Sequence, residues 1–182
     1  MMAVRGSMGD LVARVRLLIG DAVTGGVFGD QEIQDTLDQR REVVRYAALR
    51  PEPTLQVTTG VMQYLDYFGT RGFWESDATL YGPAWQQVAP ATSDWLTGHW
   101  TFGSSQIPTV WIVGKIYDVY GAAADLLEIW AAKVADEFDF ADINAKYLRS
   151  QSGKAKLALA AVYRAKAWTM EIEMVRPDCQ EG

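Results

Sequence analysis

The stretch YDVYGAAADLLEIWAAKVADEFDF, residues 117–140, puts apolar residues or alanine on almost every side of a helical wheel and leaves only a thin polar strip. Such a helix persists only when other elements cover it on more than one face. Ile116, Val119, Ala123, Leu127, Trp130, Val134 and Phe138 recur at spacings of three and four and are expected to face the domain core. A second line, Gly121, Ala124, Ala131 and Ala135, presents almost no side chain, so another helix can approach closely. Two neighbours are open: a later segment of the same chain rich in Ala155, Ala158, Ala160, Ala161 and Ala165, or an adjoining subunit.

The periodicity elsewhere predicts three more helices. Leu11, Val15, Leu18 and Ile19 mark one over residues 9–19, stopped by Gly20. A second is expected from Asp30, as N-cap, to about Leu49, with Ile33, Leu37 and Val44 on one stripe. The long helix is expected to begin near Lys115, and the last, KAKLALAAVYRAKAW, to be capped by Ser150 or Ser152. Between Pro51 and Val113 helical periodicity gives way to Thr, Gly, Trp and Tyr. There TLQVTTGVMQYLDYFG reads as a hairpin about Gly60, and DATLYG, HWTFG and TVWIVG as short strands. The fold expected is therefore mainly α, a bundle of about four helices with a β-rich insertion between the second and third. Residues 1–50 and 113–168 would form one discontinuous helical domain, 51–112 the aromatic insertion, and 169–182 an extended tail.

With 182 residues the chain is long enough for a real core, and its net charge of −6 gives nothing that recruits nucleic acid or an anionic membrane. The first residues do not read as a signal peptide, no segment reads as a bilayer span, and a single cysteine, Cys179, points to a reducing compartment. Known catalytic patterns fail on inspection. His99 is the sole histidine; SQSGKA lacks the first glycine and the Ser or Thr of a phosphate loop; GDAVTGGVFGD lacks the acid spacing of a calcium loop. Asp136, Glu137, Asp139 and Asp142 read as a helix end rather than a cation site. The expectation is no enzyme, no cofactor and no metal.

The order LVARVRLLIGD, FGDQEIQDTLDQRR, the long apolar stretch, then LRSQSGKAKLALAAVYRAKA resembles the head–tail connector, or adaptor, proteins of long-tailed bacteriophages and prophages. Those elements cover about half the chain. The resemblance implies a virion structural protein at the head–tail junction, a ring, typically dodecameric, beneath the portal protein. A tail or stopper protein would dock below, and viral DNA would pass through the lumen without specific binding. Subunit contacts are then expected at Gly121, Ala124, Ala131, Ala135, Arg149, Lys154, Arg164, Trp74 and Trp100. Portal contacts are expected in the tail at Thr169, Glu171, Ile172, Met174, Val175 and Arg176. A different reading stays open from the residues alone: Trp74, Trp85, Trp95, Trp100 and Trp111 all fall in the insertion, where an aromatic platform would bind carbohydrate or another small ligand.

Overall fold

The computed structural model describes residues 4–135, 140–142, 145–147 and 149–168, with side chains described outside residues 140–150. After a 3-10 turn at Gly6–Met8, the chain runs α1 (Gly9–Ile19), α2 (Asp30–Asp38), β1 (Arg41–Ala48), β2 (Arg50–Gln56), β3 (Val61–Phe68), β4 (Thr79–Tyr81), β5 (Gln87–Val88), β6 (Thr92–Asp94), β7 (His99–Thr101), β8 (Trp111–Tyr117), α3 (Val119–Ala135), β9 (Phe140–Asp142), β10 (Ala145–Tyr147) and α4 (Arg149–Arg164). This is a mixed α/β protein, not the mainly helical bundle expected: two four-stranded antiparallel sheets stand beside the helices.

Two segments account for the difference. Residues 41–48 continue a plausible helical stripe from α2, yet they form β1 and pair with β8 from Arg41–Tyr117 to Ala48–Trp111. Val43, Val44 and Tyr46 are β-branched or aromatic, and a partner strand some seventy residues away outweighs a weak local helical preference. Likewise the strand opening at Trp111 continues through Tyr117 instead of yielding to helix at Lys115, so Ile116 joins the sheet core and α3 begins at Val119. The sheet that holds β1 and β8 thus takes in strand residues that lie outside 51–112.

Sheet order is β1-β8-β4-β5 in one sheet and β2-β3-β7-β6 in the other. The chain crosses between them at Leu49, whose amide donates to the Val110 carbonyl at 2.8 Å. The hairpin read about Gly60 is β2–β3, with Gly60 at φ +67° in its turn. Two apolar cores result. Met8, Leu11, Val15, Ile19, Phe28, Ile33 and Leu37 pack with Val119, Ala123, Leu126 and Leu127 beneath the helices. Leu49, Tyr67, Trp74, Leu80, Trp100, Phe102, Val110, Ile112 and Ile116 fill the space between the sheets. α1 ends as expected, with Gly20 in the left-handed region at φ +69° and its amide on the Arg16 carbonyl.

Candidate functional site

α4 packs antiparallel along α3 and is the close neighbour of its alanine line within the chain. Gly153 lies near the Ala131 carbonyl and Val134, Ala160 is buried in the helical core, and the Tyr163 hydroxyl donates to the Leu18 carbonyl at 3.0 Å. The helix starts at Arg149, so Ser150 and Ser152 lie inside its first turn and do not precede it as caps. Ala124 and Ala131 are buried, whereas Ala135 is exposed and shares a cleft of about 220 Å³ with Ala131, Val134, Gly153, Lys154 and Leu157.

Two cations of α4, Lys156 and Arg164, are turned to α3. Arg164 pairs with Asp125 and, at 2.9 Å, with Glu128. Lys156 lies 4.4 Å from the Trp130 ring centroid, and Lys166, just past the helix, 5.6 Å from that of Tyr120. Arg40, at the end of α2, also grips Asp125, whose carboxyl is held below the usual range by the Arg40 and Arg164 guanidinium groups against the opposing effect of burial. The rest of α4 is more open among the described residues. Leu157, Leu159 and Val162 are 50, 36 and 51% exposed, and Ala155, Ala158 and Ala161 are exposed beside them. Apolar helix surface of this extent calls for cover.

Gly121 is not part of the α4 contact. Its missing Cβ would sit against the Asp118 carboxylate and the Arg40 guanidinium. Asp118 caps α3, its Oδ1 accepting from the Gly121 amide at 2.9 Å, while its buried Oδ2 has no hydrogen-bond partner among the described residues and lies 3.7 Å from Arg40 Nη1. Gly121→Ala would push the carboxylate off the cap. The expected loss is about 1–2 kcal/mol of unfolding free energy by urea titration. An unchanged midpoint would show that the carboxylate can move without cost.

Trp74 and Trp100, expected at subunit contacts, are 3% and 0% exposed, and their rings meet edge to face at 6.0 Å inside the sheet core. They fill the space between this chain's own sheets, and Trp95 packs edge to face on Trp100 at 5.7 Å. Trp85 is the open one, 57% exposed in the turn after β4. It stacks on Trp111 at 5.8 Å and 22°, and Tyr46, set in the β1 bulge at φ +54°, meets its edge at 5.3 Å. The stack is two rings deep, not two rings wide, so it is not the coplanar platform that sugar binding favours. His99 opens β7, at the start of the segment HWTFG read as a strand. It stacks on Phe68 at 4.4 Å and hydrogen-bonds Asp66 at 3.1 Å. The Thr101 hydroxyl, donating at 2.7 Å, and then His99 hold the Asp66 carboxyl below its usual range.

Two polar centres escaped the sequence reading. The first is Glu75, fully buried, which accepts from Ser7 Oγ at 2.6 Å, Tyr117 Oη at 2.6 Å, Arg5 Nε at 2.9 Å and Lys115 Nζ at 3.1 Å. Arg5 also forks onto Asp38 at 2.7 and 2.9 Å. Burial opposes ionisation, yet the Ser7, Tyr117 and Lys115 hydrogen bonds and the Arg5 charge bring the carboxyl down to about 2. Burial and that same carboxylate push the Tyr117 hydroxyl well up. A carboxylate so acidic is a poor proton acceptor near neutral pH, so this centre ties the N-terminal turn, α2 and β8 together and lacks the tuning of a general base. The second centre is Arg16, 5% exposed, which donates to Asp21, Asp30 and the Ala22 and Phe28 carbonyls. It pairs with both acids of GDAVTGGVFGD, Asp21 and Asp30. Asp30 gives its carboxylate to Arg16, and Gly29 takes the N-cap position of α2. The only advance signal was an arginine four residues before a helix stop; for Glu75 there was none.

The side chains of Asp136, Glu137, Asp139, Asp142 and Arg149, and all of Thr169, Glu171, Ile172, Met174, Val175 and Arg176, lie outside the described residues. Among the described residues no three His, Cys, Asp or Glu side chains are grouped to hold a metal ion, and no helix is long and apolar enough to cross a membrane. No family model matches the chain, and no curated protein or solved structure matches it.

Proposed function

We propose that the chain is a virion structural protein, an adaptor that assembles as a ring under the portal and joins the capsid to the tail while DNA passes through the lumen. The observation that carries this reading is α4. Part of its surface is fixed to α3 by paired charges, while Leu157, Leu159 and Val162 stay partly in solvent, as in a part that completes its burial on assembly. The resemblance of the four helical elements to adaptor proteins supplies the setting. The net charge of −6 suits a conduit along which phosphates must slide without being held.

The partners in this reading are further copies of the chain, typically twelve, the portal protein, and a tail or stopper protein. The place is the head–tail junction of a virion, after synthesis in the host cytoplasm. Electron microscopy of the chain mixed with a portal protein from the same genome is expected to show a ring at the portal's narrow end. Portal particles that stay bare at saturating concentrations of the chain would overturn the reading.

A further inference from the structure

We propose that the segment following Trp168, residues 169–175, adds as a further strand to the free edge of β1 in the same chain. β1 is the outermost strand of its sheet, and its residues Arg41, Glu42, Val43 and Arg45 are exposed. The Arg40 carbonyl accepts from the Asp118 amide at 3.1 Å, and in an antiparallel ladder the bonded pairs then alternate, Glu42 with Ile116 and Val44 with Gly114. The amides and carbonyls of Arg41 and Val43 therefore point away from β8, and no backbone group among the described residues bonds to them. An edge of this kind is a template for one more strand. The bulge after Val44, with Tyr46 at φ +54°, closes the regular stretch.

Position, pattern and charge choose the occupant. Beyond α4 the chain brings Trp168 back to the sheets, where it packs against the same core as Val44. Its ring centroid lies 5.1 Å from the Arg71 guanidinium, and Arg71 is paired with Glu42 of β1. The chain thus leaves Trp168 beside the start of β1, and seven extended residues reach roughly 23 Å, more than the roughly 13 Å from Arg41 to Arg45. Met170, Ile172 and Met174 alternate with Glu171 and Glu173, the period of a half-buried strand, and Pro177 sets a limit to it. Counted from Trp168, that alternation puts the two methionines and the isoleucine on the face that Val44 turns to the core, and both glutamates on the opposite face. Alternation along β1 likewise sets Arg41 opposite Val44's face, with Arg45 at the bulge, so two acids meet two arginines across the new pair. The added strand runs parallel to β1, from its Glu42 end. The contact lies within one chain and does not depend on the adaptor reading.

Amide hydrogen exchange of the full-length chain, read by NMR, tests the contact. The Val43 amide is expected to exchange about tenfold or more slowly than in full-length Ile172→Pro, because proline lacks a donor and does not sit within a paired strand. The Val44 amide, bonded to β8, is the internal reference and should exchange at one rate in both proteins. Equal Val43 rates in parent and variant would overturn the contact. Protection of Val43 that fades on dilution would place the segment on the β1 edge of a second copy and overturn its docking within the chain. As a second measurement, Glu171→Lys with Glu173→Lys is expected to speed Val43 exchange by about fivefold or more, and Arg41→Glu with Arg45→Glu in that same chain to restore the protection. A merely local effect of the lysines would not be reversed by changes on β1, so protection that stays lost would overturn the pairing of these acids with these arginines.

Discussion

Replacing Arg16 by Met is expected to cost about 3–5 kcal/mol of unfolding free energy, the range for breaking a buried ion pair from one side. The guanidinium is enclosed between α1 and the loop that follows it and makes five hydrogen bonds to four residues, two carboxylates and two carbonyls. Asp21 is itself buried and accepts from the Val27 and Phe28 amides at 2.8 and 3.2 Å, so its removal from Arg16 leaves a charge that cannot reach water without unravelling the loop. Phe28, which packs edge to face on Trp130 at 6.1 Å, would lose its seat in the helical core. Arg16→Lys should rescue only a minor part, because one ammonium cannot span positions held by a planar fork. Urea denaturation at pH 7 checks both variants. A loss below about 1 kcal/mol for Arg16→Met would mean that the loop is held by its backbone and the arginine is incidental.

The second large effect is a loss of stability in acid that Glu75 controls. Its carboxyl titrates at about 2 in the folded chain against 4.5 for an unperturbed glutamic acid. A folded-state value below the unfolded one stabilises the protein above about 4.5, and that contribution disappears as the pH falls from 4.5 to 2. A shift of this size corresponds to about 3 kcal/mol. Glu75→Gln should therefore be less stable than the parent at pH 7 by a similar amount, and the two curves should converge toward pH 2. Other depressed carboxylates, Asp66, Asp94 and Asp125, contribute to acid lability in both proteins and cancel in the difference. Tyr117 acts at the other end of the scale. Its raised value means stability that is full below its ordinary pKa of 10 and declines above it. Parallel curves for parent and Glu75→Gln between pH 7 and 2 would show that the carboxylate is not the coupled group.

These two centres also mark the limit of what periodicity reveals. α1 was legible to the residue because Leu11, Val15, Leu18 and Ile19 repeat at helical spacing and Gly20 supplies the left-handed stop. The hairpin about Gly60 was legible for the same kind of reason, alternation flanking a residue free to turn. Of the candidate surface, the alanine line and its partner α4 were visible in composition. Which of these residues face solvent was not, since Gly121 answers to Asp118, and Leu157, Leu159 and Val162 stay exposed on α4 while Ala160 is buried.

By itself, then, the sequence determined the helical segments with one clear stripe, the tight turns that need glycine, and a long helix that needs cover on more than one face. Tertiary structure alone decided that residues 41–48 are a strand, that Ile116 belongs to the sheets, and that Glu75 is the meeting point of Arg5, Ser7, Lys115 and Tyr117. The physical reason is range. Helical periodicity records interactions three and four residues apart, whereas a strand's partner and a buried carboxylate's donors lie up to some seventy residues away, and their energies exceed the local preferences they override.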